Sequence, residues 1–526
     1  MNNNTKEKTF VDISREIADN FIRDIVFVDE RAYPKKTDKT VEENVHNNEF
    51  DSKAVSDAFL KKGKICAIYA PQTEEDIQEC ISSLIKADVV VLDWDLKLTD
   101  TSNFDPMADD ESEKRGQYTK SLIKKLVDYS GKEKVKLIII YTGETDVEKI
   151  TGDIHKYIQS DEYVLNNSTL CVQNSNLKII VRAKEGAKVV EHHKDKIIEY
   201  NKLPELITIE FATLTMGLLP NYALSAITAI RDNTSNILGV FSKDIDPAFL
   251  GHYVSISDCN DAISMLSEIF GSAITDLIDS SNFDIKTWID KWLTQKGTGP
   301  FETKIGNNKL NVSGTVLKNI VNSSELSFKT KLKNAGFSGV KGNDDELKRD
   351  ATKLFIEHSD MPNYKLAKLI QHSNLFSPSK APRLTTGTIV KYKGENDWSY
   401  LLCIQQRCDS VRIPKEGRTF LFLPLTQNTK GTAVVVGEMK HMIVKKESHS
   451  VELHEFIPEN DKESSITAKQ YEQIGYAFKD KTGKYYIWVA ELKEMFAQNI
   501  VTTYASQLSR VGIDDSEWIR LVGKMN

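Results

Sequence analysis

The chain has 526 residues, of which 40% are hydrophobic and 28% are charged. This composition is typical of globular proteins, and at about 150 residues per domain the length suggests about three domains. It excludes a collagen-like chain, a disulfide-rich miniprotein and a wholly disordered chain. The formal net charge of -7 comes from an acidic excess in the first 200 residues, and the rest is close to balance. A domain dedicated to wrapping nucleic acid is therefore not expected.

The sequence predicts a cytoplasmic protein without a membrane-spanning helix. Its longest apolar runs are far shorter than the roughly 20 residues that a membrane-spanning helix needs, and the start MNNNTKEKTF has no apolar signal core. The six cysteines are sparse and form no CxxC pair, which favours reduced thiols.

Between residue 20 and about residue 200, strand-like runs alternate with segments of helical spacing. Runs such as VVVL at 89–92 and LIII at 137–140 are not interrupted by polar residues, which is typical of parallel strands covered on both faces. This region is therefore predicted to be a doubly wound α/β domain, which binds ligands at the carboxyl ends of its strands. The predicted strands are 25–30, 65–70, 89–96, 135–144 and 177–186.

The rest of the chain is predicted to form two further domains. Residues 201–380 have mainly helical spacing, with a Gly-, Asn- and Thr-rich loop at 294–315. From residue 386 the pattern changes to short strands separated by turns, and a helix is predicted at 491–512. The predicted domains are 20–200, 201–380 and 385–526, the last of the strand-rich α+β class.

Polar residues follow the predicted strands of the first domain at the edge where the carboxyl ends converge. Clustered carboxylates repel one another unless a cation compensates them. Oxygen ligands at this density suit Mg²⁺, and a carboxylate nucleophile can accept a phosphoryl group as an acyl phosphate. A hydroxyl and an ammonium group could bind the transferred oxygens. The residues in question are Asp29, Glu30, Asp93, Asp95, Thr142 and Lys184.

This ordered set resembles the receiver domain of two-component response regulators. The resemblance implies that Asp29 and Glu30, the acidic pair after strand one, hold Mg²⁺. It implies that Asp93, the acid ending strand three, is the phosphoacceptor and also a metal ligand. Asp95, two residues later, would give its backbone carbonyl to the metal.

The same resemblance implies the two residues that contact the phosphoryl group. Thr142 matches the hydroxyl residue of strand four, and Lys184 matches the lysine of strand five. Two features depart from the family pattern. Glu185 follows the lysine where the family usually has proline, and Val181 and Arg182 occupy the neighbourhood of its aromatic switch residue.

Three further segments, 210–233, 401–414 and 509–521, are similar to segments of large bacterial receiver-containing proteins. Among these proteins, the chain resembles the receiver component of Detocs-type anti-phage two-component systems. The resemblance implies a sensor histidine kinase as partner, a second receiver-containing effector, and a phosphate sink or relay as the role. The sequence leaves a homodimer open.

Three alternatives remain at the level of the sequence. A DNA-binding regulator would need a basic face in 201–526, which the charge balance disfavours. A phosphorylation-controlled effector enzyme would need a catalytic cluster in 385–526. A scaffold with an inactive receiver would keep the fold without accepting phosphate.

Overall fold

The structure is a computed structural model of the chain. The residues that it describes are 7–33, 50–98, 115–130, 134–256, 259–296, 300–356, 359–373, 375–376, 380–394, 397–427, 431–447, 449–458 and 465–508. The segment 509–521, which carries part of the resemblance, lies outside them. Within these ranges, no helix has the length and apolar character needed to cross a bilayer. The chain divides into two compact units, residues 1–299 with 313–318, and residues 300–312 with 319–526.

The first unit contains the parallel sheet that the sequence predicts. Its strands run in the order β2-β1-β3-β4-β7, with parallel pairing throughout. These strands are β1 (Asp24–Val28), β2 (Ile65–Tyr69), β3 (Val89–Leu92), β4 (Lys136–Thr142) and β7 (Leu177–Lys184). The hairpin of β5 (Val164–Asn166) and β6 (Cys171–Gln173) extends the sheet antiparallel to β7. A two-residue strand, β8 (Ile197–Ile198), pairs with the end of β7.

One face of this sheet is covered by the helices that connect the strands. They are α3 (Glu74–Lys86), α4 (Gln117–Ser130) and α5 (Val147–Ile158). The start of α3 follows from its sequence, because Thr73 and Asp76 form a reciprocal capping box. Apolar residues at helical spacing, such as Ile77 and Leu84, pack on alternate residues of the strands, such as Val90.

The other face is covered by α1 (Phe10–Phe21), α2 (Ser52–Leu60) and α6 (Leu203–Thr215). Ile17 and Phe211 belong to the same buried cluster as Phe27 of β1. Glu210 of α6 forms ion pairs of 2.7 Å with Lys178 and Arg182 of β7, and all three side chains are mostly buried. The core of the α/β region therefore includes residues on both sides of the predicted domain 20–200.

Further helices complete the first unit. The end of α7 is joined to the sheet by Arg231, whose guanidinium binds both carboxylate oxygens of Asp88 at 2.8 and 3.0 Å. The helices are α7 (Leu218–Asp232), α8 (Thr234–Val240), α9 (Asp246–Ser255), α10 (Cys259–Ser280) and α11 (Ile285–Gln295).

The second unit begins with a hairpin where the sequence predicted a loop. β9 (Phe301–Ile305) and β10 (Asn308–Val312) pair across a tight turn at Gly306, whose φ is +58°. Their inward residues, such as Ile305 and Leu310, are buried, whereas the polar alternate residues hid the strand pattern. The next helix along the chain is α12 (Gly314–Val321), whose residues up to 318 are counted in the first unit. The further helices of the second unit that precede its larger sheet are α13 (Phe328–Asn334), α14 (Asp344–Arg349) and α15 (Met361–Gln371).

The larger sheet of the second unit has the order β14-β15-β13-β12-β11-β19-β18-β17, with β16 also paired to β13. Its pairs are antiparallel. The terminal helix α16 (Glu494–Leu508) buries Ala497, Ile500 and Tyr504 in one of the two apolar clusters of this sheet. The strands are β11 (Thr388–Lys393), β12 (Trp398–Cys403), β13 (Arg418–Thr426), β14 (Ala433–Gly437), β15 (Lys440–Val444), β16 (Glu452–Phe456), β17 (Lys469–Tyr471), β18 (Gly475–Lys479) and β19 (Tyr485–Glu491).

The predicted fold class is confirmed in its main features, a parallel α/β region followed by helices and a strand-rich region that ends in a helix. The division into domains at 20–200, 201–380 and 385–526 stays a prediction.

Candidate functional site

The candidate site lies at the carboxyl ends of β1 and β3, where the strand order reverses direction. Val28 and Leu92 are paired across these strands, so Asp29 and Asp93 leave the sheet side by side. The Asp93 N–H donates to the Val28 carbonyl at 2.8 Å, and the Asp29 N–H donates to the Tyr69 carbonyl at 3.0 Å. Both acids are thus held by backbone bonds, at the position where doubly wound sheets bind their ligands.

Three carboxylates meet at this point. One oxygen from each of Asp29, Glu30 and Asp93 lies within 4.8 Å of the other two. Asp29 and Asp93 are almost fully buried, and Glu30 is 9% exposed. The Oε2 atom of Glu30 is buried without a hydrogen-bond partner. A buried carboxylate oxygen in that state is costly unless another group, such as a cation, satisfies it.

Lys184 bridges the two aspartates. Its Nζ atom donates to Asp29 Oδ2 at 2.6 Å and to Asp93 Oδ1 at 2.9 Å. The ammonium group also lies 5.5 and 5.9 Å from the ring centroids of Phe50 and Tyr141. Burial lowers the pKa of Lys184, but the attraction of Asp93 and Asp29 outweighs burial and raises it overall. The lysine is therefore charged at neutral pH.

Arg31 is a second cation of the site, which the sequence pattern did not predict. Its Nη2 atom donates to Asp93 Oδ2 at 3.3 Å, and its Nε atom lies 3.1 Å from Glu30 Oε1. The backbone N–H of Arg31 donates to Asp29 Oδ1 at 2.9 Å. The side chain is about half exposed. Its position directly after the acidic pair was the only sequence signal, and that position alone does not determine where a long side chain points.

The electrostatics of the site favour an added cation. Burial raises the pKa of Glu30 to about 7, with further contributions from the negative charges of Asp93 and Asp29. Burial also raises the pKa of Asp93, and Asp29 adds to this effect, while Lys184 opposes it. Three carboxylates face two cations, so the fully ionised cluster carries an excess negative charge. Because these groups are poorly solvated, a divalent ion would stabilise the ionised forms strongly.

Thr142 and Asp95 flank the cluster without hydrogen bonds to it among the described residues. Thr142 is buried at the end of β4, and its Oγ1 atom accepts the Glu144 N–H at 3.2 Å. The Asp95 carboxylate lies 3.7 Å from Lys97 Nζ and is not part of the carboxylate group. Thus the structure brings Asp29, Glu30, Asp93 and Lys184 together. The roles predicted for Thr142 and Asp95 remain predictions.

The strand that carries Lys184 ends in a glycine turn. The Ala187 N–H donates to the Lys184 carbonyl at 3.1 Å, and Gly186 has a φ of +85°, which glycine adopts without strain. Two residues before Lys184, Arg182 is buried and bonded to Glu210 of α6. The aromatic residue nearest to the lysine on the sheet is instead Tyr141, whose hydroxyl donates to the Ile198 carbonyl at 2.6 Å.

The backbone of Asp93 is supported from the side of α4. The Thr119 hydroxyl donates to the Asp93 carbonyl at 2.8 Å. The next residue, Trp94, is buried and packs directly over Gly116, where a Cβ atom would lie 2.4 Å from the indole ring. The start of α4 therefore contacts the chain at Asp93 and Trp94, directly after the end of β3.

The residues present fit a magnesium ion. The donor set consists of hard carboxylate oxygens, which Mg²⁺ prefers, and one of these oxygens is buried and unpartnered. Asp29, Glu30 and Asp93 would hold the ion, and Asp95 could add its backbone carbonyl.

Comparison with known proteins agrees with this site for the first part of the chain. Residues 21–189 match the family model described as the response receiver domain, so this stretch is a receiver-type domain. The match covers strands β1 to β7 and the site residues from Asp29 to Lys184. No curated protein and no solved structure matched the chain significantly.

Proposed function

We propose that Asp93 accepts a phosphoryl group from a phosphohistidine of a partner kinase. The observation that carries this proposal is the buried cluster of Asp29, Glu30 and Asp93, bridged by Lys184 at the switch point of the sheet. If Lys184 formed an ion pair with a purely structural role, one carboxylate would be enough to neutralise its charge. The additional acids and the unpartnered oxygen of Glu30 are explained by a cation and a phosphoryl group.

In the proposed reaction a carboxylate oxygen of Asp93 attacks phosphorus. The P–O bond forms as the P–N bond to the donor imidazole breaks, and the imidazole leaves with the electron pair and takes a proton. Lys184, already within 2.9 Å of Asp93, would bind an oxygen of the transferred group, and the Thr142 hydroxyl would donate to another. Arg31, which contacts the other carboxylate oxygen, would add positive charge on the exposed side.

Bound Mg²⁺ would neutralise charge on the phosphoryl oxygens as they approach the carboxylates. The protein's own contribution is to hold Asp29 and Asp93 in fixed positions and to keep the nucleophile ionised. Lys184 serves that second task because its charge opposes the rise in the pKa of Asp93 that burial causes.

At a finer level, we propose that the protein works as a phosphate sink or relay in bacterial anti-phage signalling. A sensor histidine kinase would supply the phosphoryl group, and a second receiver-containing effector would compete for it. The support is the resemblance of segments such as 210–233 and 401–414 to large receiver-containing proteins.

The test is phosphate incorporation into the purified full chain. The protein would be incubated with Mg²⁺ and a small phosphodonor, or with a sensor kinase from the same genome and ATP, and resolved on phosphate-affinity gels. We expect a shifted, hydroxylamine-labile band that disappears in Asp93→Asn and when Mg²⁺ is chelated. Asp95→Asn is the matched control, since it keeps the backbone carbonyl and should still be labelled.

The lifetime of the band then distinguishes the roles. Rapid loss of the phosphoryl group favours a sink, whereas slow loss favours a switch or relay. Absence of a band with every donor, in protein whose folding is verified, would refute phosphoacceptance and leave the receiver as a docking module.

A further inference from the structure

A second group of metal-ligating side chains lies in the first unit, apart from the three carboxylates. It consists of Glu148, His192 and His193, with one ligand atom of each within 4.8 Å of the others. Glu148 lies in the first turn of α5, and the histidines lie in a short 3₁₀ helix, Glu191–Lys196, that follows β7. The two imidazole centroids are 4.2 Å apart.

The second observation is the state of His193. It is only 5% exposed, yet neither of its ring nitrogens has a hydrogen-bond partner. Its Nε2 atom faces Glu148 Oε2 at 3.5 Å, and His192 Nε2 is 4.0 Å from the same oxygen. A buried polar group without partners is costly, so an arrangement that satisfies the nitrogen is favoured.

We propose that Glu148, His192 and His193 bind a borderline transition-metal ion, with Zn²⁺ as the best fit. Imidazole nitrogen is a common zinc ligand and a poor one for Mg²⁺, and two imidazoles with one carboxylate form a recognised zinc donor set. In tetrahedral coordination with bonds of about 2.0–2.1 Å, ligand atoms lie about 3.3 Å apart. The observed separations are 3.5 and 4.0 Å from the Glu148 oxygen to the two histidine nitrogens, and all three ligand atoms lie within 4.8 Å of one another, so side-chain adjustments would bring them to that value.

The three ligands leave a fourth position for water, and His192 and Glu148 are accessible to solvent. Bound metal would connect the start of α5 to the segment after β7. These two segments follow the strands that end in Thr142 and Lys184. The site would therefore stabilise the edge of the sheet at which those two residues lie, without being part of the carboxylate cluster.

The test uses tag-free full-length protein that has been treated with a chelator and dialysed. Zn²⁺ would be titrated calorimetrically in the presence of excess Mg²⁺, and Co²⁺ binding would be followed by visible absorption. We expect one equivalent of Zn²⁺ and a tetrahedral Co²⁺ spectrum. Because both side chains are exposed, His192→Ala and Glu148→Gln should fold, and each should weaken binding by at least about tenfold.

Two controls make the assignment specific. His252→Ala removes an exposed histidine elsewhere in the unit and should leave Zn²⁺ binding unchanged. Asp93→Asn should also leave it unchanged, because that residue belongs to the other cluster. The proposal is overturned if Zn²⁺ does not bind, if binding survives both ligand variants, or if Asp93→Asn abolishes it. Failure of phosphorylation at Asp93 would not affect this result.

Discussion

At the scale of single residues, the burial of Glu30 affects both its pKa and its expected affinity for a metal ion. One of its oxygens lies 3.1 Å from Arg31 Nε, and the other is buried without a partner. Burial and the neighbouring aspartates raise its pKa from 4.5 to about 7. Between these two pH values the folded, metal-free protein keeps a proton on Glu30, whereas the unfolded chain has released it. Mg²⁺ binding requires the ionised carboxylate and should displace that proton.

This shift predicts how stability depends on pH. Below about pH 4.5, Glu30 is protonated in both the folded and the unfolded state, so it does not change the free energy of unfolding. Between about pH 4.5 and pH 7, Glu30 is ionised in the unfolded state but still protonated in the folded state. The free energy of unfolding of the metal-free protein therefore falls as pH rises through this window, by on the order of 3 kcal/mol from this group. Mg²⁺ should restore the loss, so it should raise the melting temperature more at about pH 8 than at about pH 6.

Glu30→Gln is the matched variant for this prediction, because an amide of the same shape does not titrate. In that variant, the Mg²⁺-dependent rise in melting temperature should be smaller and should depend less on pH. An unchanged pH dependence in Glu30→Gln would show that another group controls the effect. Differential scanning calorimetry with and without Mg²⁺ measures both quantities.

The sequence was sufficient to predict that Asp29, Glu30, Asp93 and Lys184 lie together, because each stands at the end of a predicted strand and the ends of parallel strands converge. Their roles stay predictions. The sequence could not find Arg31, because the direction of a long flexible side chain depends on its surroundings. His193 and Glu148 were also missed. They are 45 positions apart in the sequence, and only the fold brings them together.

At the scale of elements, the start of α4 has a steric role beside Asp93. Gly116 has a φ of +72°, and a Cβ atom added there would meet the Trp94 ring at 2.4 Å. Gly116→Ala should therefore displace the indole and lower the free energy of unfolding by about 2–4 kcal/mol, from overpacking and from the positive φ. Since Trp94 follows Asp93, phosphate incorporation should fall as well.

Gly152→Ala is the control for this substitution. Gly152 lies inside α5, and nothing is within 4 Å of the position of its Cβ. Alanine is the better helix former, so this variant should gain up to about 1 kcal/mol. Chemical denaturation of both variants measures the difference. Equal effects of the two substitutions would contradict the steric role of Gly116.

Elements were predictable where their apolar pattern was strong. The buried strand β3 is a continuous apolar run and β4 contains one at 137–140, so their identification needed no tertiary information. The sequence predicts a loop for the hairpin of β9 and β10, because inward apolar residues stand at only a few positions, between asparagines, lysines and threonines. Pairing across the turn, which the local sequence does not reveal, stabilises these strands.

At the scale of the whole molecule, the core of the receiver-type domain extends beyond the stretch that matches the family. The matched residues are 21–189, but the second face of the sheet is completed by helices on both sides of it. The sequence pattern does not show that the core of this domain includes α1 and α6, because both have the pattern of ordinary amphipathic or apolar helices. The buried side chains that lie outside 20–200 and belong to this cluster are Ile13, Ile17, Ala18, Leu203, Ile207, Phe211, Ala212 and Leu224.

Because these side chains belong to the core, we expect that fragment 20–200, which lacks them, does not fold cooperatively. Burial of each large apolar side chain contributes about 1.5–3 kcal/mol, so the loss of six of them removes about 9 kcal/mol or more. A typical domain is stable by only about 5–15 kcal/mol. Fragment 20–200 should therefore bind a hydrophobic dye and melt without a sharp transition, whereas fragment 1–299, which keeps α1 and α6, should melt cooperatively. If the two fragments melted within a few degrees of each other, α1 and α6 would be dispensable additions to the receiver rather than part of its core.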